Sequence, residues 1–504
     1  MQHIFDLNLK ISKLLDSRNY DLAQEILQKE MHDHQHGDYL HLKAIAGFFI
    51  DLGDESFNLQ FVEKGLNLLL DHKENIQQYV SEDSINYCIG NAYQSIFRIN
   101  TANITDFFPI PEKIETLFEA KQYYFKSFKQ LDLKNLNHYS IQVLTNLGNN
   151  LINSGRYVEA LQLYDTVLDY NPDFFYAQAA KADGLITMAT FSQCSITTGF
   201  FVEVYRLFNN AEKHPIPLEE VRHRVQNGKA YALHYLKELN FCISKIPQEI
   251  FLNNEEYKNH SVKLKYFLDN FLSLSEHSLY CKCNGSEIDD ITIGYKNFKT
   301  KDKKIVQSEL LCNRLKSEFC LSKELLFEYF DEVPLKKETT HYEILVDGIL
   351  NGIKYEKLRT SFRLCFGILD KIAEGICYIF NLNISKNESI YFENFWNSKR
   401  NNKRWEEINQ KKNIHLTALY SIACDLEKIN GEFGFYKEWR NKLEHGVFSL
   451  NDELYLETNW EEPQFSLKTD VKTFEKETLR LLQLTRAAIF SFVFCARTEL
   501  IKST

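Results

Sequence analysis

Arg440, Asn441 and His445 stand in the hexapeptide RNKLEH, directly ahead of Gly446. On a helix, Asn441 and His445 are one turn apart on a shared face, so the amide can orient the imidazole. Arg440 reaches the same neighbourhood on a long arm. Gly446 suits the position just past a helix end, which puts His445 in the final turn. An imidazole can exchange a proton with a 2′-hydroxyl or a leaving oxygen, and a fixed guanidinium can neutralise the charge of a phosphorane. This trio is a candidate catalytic set for cutting RNA without a metal. A plainer arrangement uses the same residues: Arg440 pairs with Glu444 one turn on, and His445 only caps the helix. Asp370 and Glu444 are the candidates for holding Arg440 in place.

Four stretches must position these side chains. In GIKYEKLRTSFRLCFGILDKIAEGICYIFNL, residues Leu358, Phe362, Cys365, Leu369, Ile372, Ile376 and Ile379 recur at three- and four-residue steps, which predicts a long core helix. Asn413–Ile429, Phe435–Phe448 and Phe474–Leu500 supply three more helices, and four such helices make a bundle. Between the last two, alternation in Leu454–Thr458 predicts a short strand in a β-hairpin-like insertion. Basic residues Lys399, Arg400, Lys403 and Arg404 precede the second helix and could guide a phosphate backbone.

A bundle whose third helix ends in Arg, a polar residue, three variable residues and His resembles the HEPN superfamily of ribonucleases and RNA-binding domains. The resemblance covers about residues 350–500 and implies catalytic roles for Arg440, Asn441 and His445. It also implies a homodimer in which two such motifs meet to form one RNA cleft, no cofactor, and a role in toxin or antiviral defence. Two other readings stay open. One is a non-catalytic helical module that binds protein or RNA; the other is a HEPN partner of a nucleotidyltransferase in a toxin–antitoxin pair.

Further back, VLTNLGNNLINSGRYVEALQLYDTVLDYNP resembles a tetratricopeptide repeat, with Ile141, Leu144, Leu147, Gly148, Leu151, Tyr157, Ala160, Tyr164 and Pro172 in register. Gly148 and Ala160 let two helices approach, Tyr164 fills the groove between them, and Pro172 stops the second. YCIGNAY and EAKQYYFKS read as a second unit interrupted by an insertion containing Pro109 and Pro111, and earlier hairpins begin at RNYDLAQEIL and YLHLKAIAGFFIDLG. The expected organisation is all-α: a repeat array over 1–240, a helical linking region over 241–345, and a HEPN bundle over 346–504. Such an array offers a face for a protein or ligand partner.

Composition narrows the field. Lys+Arg total 59 against 69 Asp+Glu, a net charge of −10, so contact with nucleic acid must be local rather than through bulk charge. Eight prolines and 19 glycines in 504 residues fall well below the typical ~5% and ~7%. Long uninterrupted helices follow. Eleven scattered cysteines, most of them inside apolar patterns, predict a reducing cytoplasmic setting. The Ala487–Ala496 stretch is too short to span a membrane. No Walker loop, GxSxG elbow or HExxH motif is present. His32, His34 and His36 read as solvated loop residues, and Cys281-x-Cys283 lacks the spacing and the second pair of a zinc knuckle, so no metal site is expected.

Overall fold

A computed structural model describes residues 2–33, 38–102, 114–192, 197–216, 219–294, 302–331, 348–384, 388–397, 401–452 and 464–500. The chain divides into two compact units. One comprises Met1–Ile186 and Glu203–Tyr235, the other Thr187–Val202 and Leu236–Thr504. Helices dominate both, and the only strands among the described residues form one small sheet.

The chain runs first through α1 (Gln2–Asp16), α2 (Tyr20–Asp33), α3 (Tyr39–Glu55), α4 (Leu59–Asp71), the short α5 (Lys73–Ile76), α6 (Glu82–Thr101), α7 (Glu115–Lys129), α8 (His138–Asn153), α9 (Tyr157–Tyr170), α10 (Phe175–Ala189), α11 (Thr197–Ala211) and α12 (Glu219–Glu238). Side-chain caps start several of them. Asp38 accepts from the His41 N–H at 3.0 Å, and Asn137 accepts from the Ser140 N–H at 2.9 Å. Successive helices pack in pairs through a repeated device. A Cβ on Gly148 of α8 would strike the ring of Tyr164 of α9, and one on Gly90 of α6 would strike the ring of Tyr124 of α7. Each glycine is followed by an asparagine that accepts from that tyrosine: Tyr164 donates to Asn149 and Tyr124 to Asn91, both at 2.8 Å. Asn150 ties the two pairs together, donating to Gln94 at 2.8 Å and to the Leu117 carbonyl at 3.0 Å. The insertion with Pro109 and Pro111 lies outside the described residues.

The second unit continues through α13 (Ile246–Asn259), α14 (Val262–Asp269), α15 (Lys303–Phe330), α16 (Ile353–Phe380), the short α17 (Phe392–Phe395), α18 (Asn402–Asn409), α19 (Ile414–Asp425), α20 (Phe435–His445) and α21 (Val471–Leu500). The predicted stripe of α16 is buried along its whole length. Gly375, near the C-terminal end of α16, admits Leu311 of α15 and Phe492 of α21, and a Cβ there would strike both.

Within the stretch 241–345, read from the sequence as a linking region, α15 packs as a bundle helix. Ser322 and Ser361 each donate to the other's carbonyl at 2.8 Å across α15 and α16, and Lys371 meets Glu318 at 3.1 Å. The turn-rich segment before α15 is also pinned to α21. Buried Arg486 donates to the Ser273 carbonyl at 2.6 Å and to Ser278 at 2.9 Å, while Arg497 pairs with Glu276.

The described strands form one three-stranded sheet. β1 (Ile349–Leu350) pairs antiparallel with β2 (Val447–Asn451), and β2 pairs parallel with β3 (Ser466–Asp470). Parallel strands need a crossover rather than a tight turn. The stretch expected to hold the hairpin strand, Leu454–Thr458, lies outside the described residues. Finally, α21 is apolar over more than the ten residues read from the sequence. By length and composition alone it could cross a membrane, but 83% of its apolar window is buried inside the protein, where it serves as a core helix.

Candidate functional site

The site is built on α20, which is amphipathic. Tyr436 and Trp439 are its buried residues. Trp439 packs on Phe362, Phe448 and Phe474, with ring centroids 5.9, 5.6 and 5.4 Å away. Tyr436 donates to a Glu477 carboxylate oxygen at 2.5 Å, and burial together with that charge pushes its phenol well up. These contacts fix the rotation of α20 on α16 and α21. Arg440 is left at the edge of the interface, and Asn441 and His445 are exposed.

Arg440 is held from α16. Its Nη2 donates to Asp370 Oδ2 at 3.2 Å, and its guanidinium lies 5.1 Å from the centroid of the Phe366 ring. Asp370 is fixed in turn, since its Oδ1 accepts the Phe392 backbone N–H at 2.8 Å at the start of α17. Phe366 and Asp370 are one turn apart on α16, so they form a platform and a clamp on one helix face. Arg440 makes no other hydrogen bond among the described residues, and a guanidinium carries five N–H donors. Its remaining donors are available to an anion. With Arg440 about one-third exposed, the ion pair positions more than it stabilises.

His445 closes α20, and the N–H of Gly446 donates to the Lys442 carbonyl at 3.1 Å. Gly446 itself is extended, with φ −142°, and not in the left-handed region its place had suggested. Its role is close approach instead. A Cβ at position 446 would strike the Phe465 carbonyl oxygen, the same atom that accepts the Val447 N–H at 3.0 Å. Gly446→Ala is therefore expected to push β2 from the segment leading into β3 and to cost about 1–3 kcal/mol in urea unfolding. Displacement of His445 should accompany it.

Other expected residues fall differently. Asn441 and His445 make no hydrogen bond to each other among the described residues. Glu444 is exposed and forms no ion pair with Arg440 there, so the clamp is Asp370 alone. Lys399 and Arg400 lie outside the described residues, and Lys403 is exposed.

Arg404 is no phosphate contact. It is fully buried, paired with Glu388 at 2.9 Å, and donates to the Phe395 carbonyl at 3.1 Å. Its charge is spent inside the unit. Arg404→Ala would take the guanidinium from the buried Glu388 carboxylate, so a loss of about 3–5 kcal/mol is expected in denaturant unfolding. The double change Arg404→Met with Glu388→Met should recover most of it. The sequence reading missed Phe366 altogether. Its spacing of one turn from Asp370 was the available signal.

No curated protein and no solved structure matches the chain. The model of the family described as LA2681-like HEPN matches residues 299–499, which take in α15 through nearly all of α21, including the helix that the sequence reading had left outside the bundle. The C-terminal part of this chain, with Arg440, Asn441 and His445 on its α20, carries a HEPN domain.

Proposed function

We propose that the HEPN domain is a metal-independent RNA endonuclease. The observation that carries this reading is Arg440, clamped by Asp370 over Phe366 with its other donors unused, on the same short helix as an exposed imidazole. His445 moves a proton between the 2′-hydroxyl, the leaving 5′-oxygen and water. Arg440 neutralises the non-bridging oxygens as the phosphorane forms. The products are a 2′,3′-cyclic phosphate and a 5′-hydroxyl.

In-line transesterification uses both an acid and a base, and one copy of the motif supplies a single imidazole. Two chains related by a two-fold axis would bring both, with the RNA lying between their α20 helices. The helical pairs of the first unit, which resemble tetratricopeptide repeats, then bind the partner or trigger that governs cutting. Such a device suits toxin or antiviral defence, where RNA cleavage arrests growth.

The test is incubation of the full chain with total RNA in EDTA, with chemical identification of the new ends. Cyclic phosphate ends support the reading. Activity that appears only with an added divalent ion, or 3′-hydroxyl ends, would overturn it. The assembly is tested separately by sedimentation. Cleavage by a chain that stays monomeric at the assay concentration would remove the two-fold cleft.

A further inference from the structure

Far from RNKLEH in the chain, three helices of the first unit bring two imidazoles to one carboxylate. His3 lies in the first turn of α1, Glu30 in the last turn of α2 and His41 in the first turn of α3. The Nε2 atoms of His3 and His41 stand 2.9 and 3.1 Å from the same Glu30 oxygen, Oε2. Their rings are stacked, with centroids 5.2 Å apart and planes 22° from parallel. All three ligand atoms fall within 4.8 Å of one another. We propose that His3, Glu30 and His41 form a binding site for a divalent transition-metal cation of the zinc type.

The donor set is right for such an ion: neutral imidazole nitrogen and carboxylate oxygen suit zinc and its late first-row neighbours. Bonds of about 2.0–2.2 Å in a tetrahedron set neighbouring ligand atoms about 3.3 Å apart. The two nitrogen–oxygen separations need only open by a few tenths of an ångström, and the nitrogen–nitrogen separation has only to close from within 4.8 Å. Burial is graded across the site. His41 is 1% exposed, the Glu30 side chain 19% and the His3 side chain 58%, so the cation would enter from the His3 side and keep a fourth position there for water.

Leu7, one turn on from His3, Leu27, one turn before Glu30, and Ile45, one turn on from His41, belong to one buried apolar cluster. The Asp38 side chain, bonded to the His41 N–H, fixes the entry of α3 and with it the buried imidazole. The consequence for the fold is mechanical. α1 buries only Leu7 and Ile11 along its length, and a cation would clip its first turn to α2 and α3.

The test uses the metal-free full chain. Zn²⁺ is titrated by calorimetry and Co²⁺ by visible absorption, and neither readout depends on RNA cleavage. One equivalent should bind, and the cobalt spectrum should lack thiolate charge transfer. His3→Ala and Glu30→Gln should each weaken binding more than about 100-fold, beyond the 10–100-fold that residues behind the ligands typically cost. Because His3 is largely exposed, His3→Ala keeps its circular dichroism, and zinc should protect α1 from proteolysis in the wild type only. Absence of binding, binding undiminished in both variants, or a thiolate signature pointing to Cys281 and Cys283 would each overturn the site.

Discussion

His445→Ala is expected to lower RNA cleavage by about 10²–10⁴-fold, the usual contribution of a positioned acid–base group, while leaving the unfolding midpoint in place. The two halves of that expectation rest on one fact. His445 ends α20 exposed to solvent, and no hydrogen bond or ion pair holds it among the described residues. A side chain without packing or partners contributes within about ±0.5 kcal/mol to stability. Any large loss of cleavage must then come from chemistry. Asn441→Ala should cost less, since among the described residues Asn441 forms no hydrogen bond to the imidazole. The measurement is the rate of cyclic-phosphate formation on a defined RNA, with chemical denaturation of both proteins as the control. Equal rates for wild type and His445→Ala would remove His445 from the mechanism. A wild-type chain that cuts no RNA even with its trigger supplied would favour a domain that only binds.

What the sequence disclosed and what it hid divide along the range of the interactions. The α16 stripe was legible because burial of Leu358 through Ile379 is a property of one helix and repeats with its period. The Gly148–Tyr164 contact was legible for a similar reason, since the two residues belong to one hairpin. α15 was not recognised as a bundle helix because polar Ser308, Glu318, Ser322 and Lys323 are among its buried residues, which blurs the apolar face. Several of their partners are distant: Ser361 for Ser322, Asp289 for Lys323, and, beside the neighbouring Arg314, Lys371 for Glu318.

Arg404 failed in the same way. A run of cations looks solvated until a buried Glu388, 16 residues earlier, claims one of them. The parallel pairing of β2 with β3 left no local mark either, because a parallel register is set by tertiary packing and not by a turn. Asp370 came through as a candidate because it sits on the helix that faces α20. The ring beneath Arg440 was missed, since aromatic residues inside an apolar pattern read as core.

Arg440→Lys should lose about 10²-fold in kcat, even though it keeps the charge and the length of the side chain. Arg440 does three things at once. It donates from Nη2 to Asp370, lies over Phe366, and among the described residues keeps its other N–H donors for phosphate oxygens. A lysine ammonium is a point charge. It can satisfy Asp370 or a phosphate oxygen, but it cannot span both with a planar fork. Asp370→Asn isolates the clamp from the charge: the guanidinium remains but its anchor weakens. A loss of about tenfold in kcat is expected, with little change in stability because the Arg440–Asp370 pair is partly exposed.

The order of the three variants is the discriminating result. Should Arg440→Lys cut as fast as the wild type while His445→Ala is inactive, the guanidinium does not stabilise the phosphorane, and its service is to seat the RNA backbone by charge alone. The salt dependence of binding would then fall equally for Arg440→Ala with cleavable RNA and with a substrate lacking the 2′-hydroxyl. If instead Arg440→Lys binds RNA as tightly as wild type and only the cleavage step slows, the fork contacts oxygens that carry charge only in the transition state. That is the outcome expected of a guanidinium held by Asp370 over Phe366 that stabilises the phosphorane.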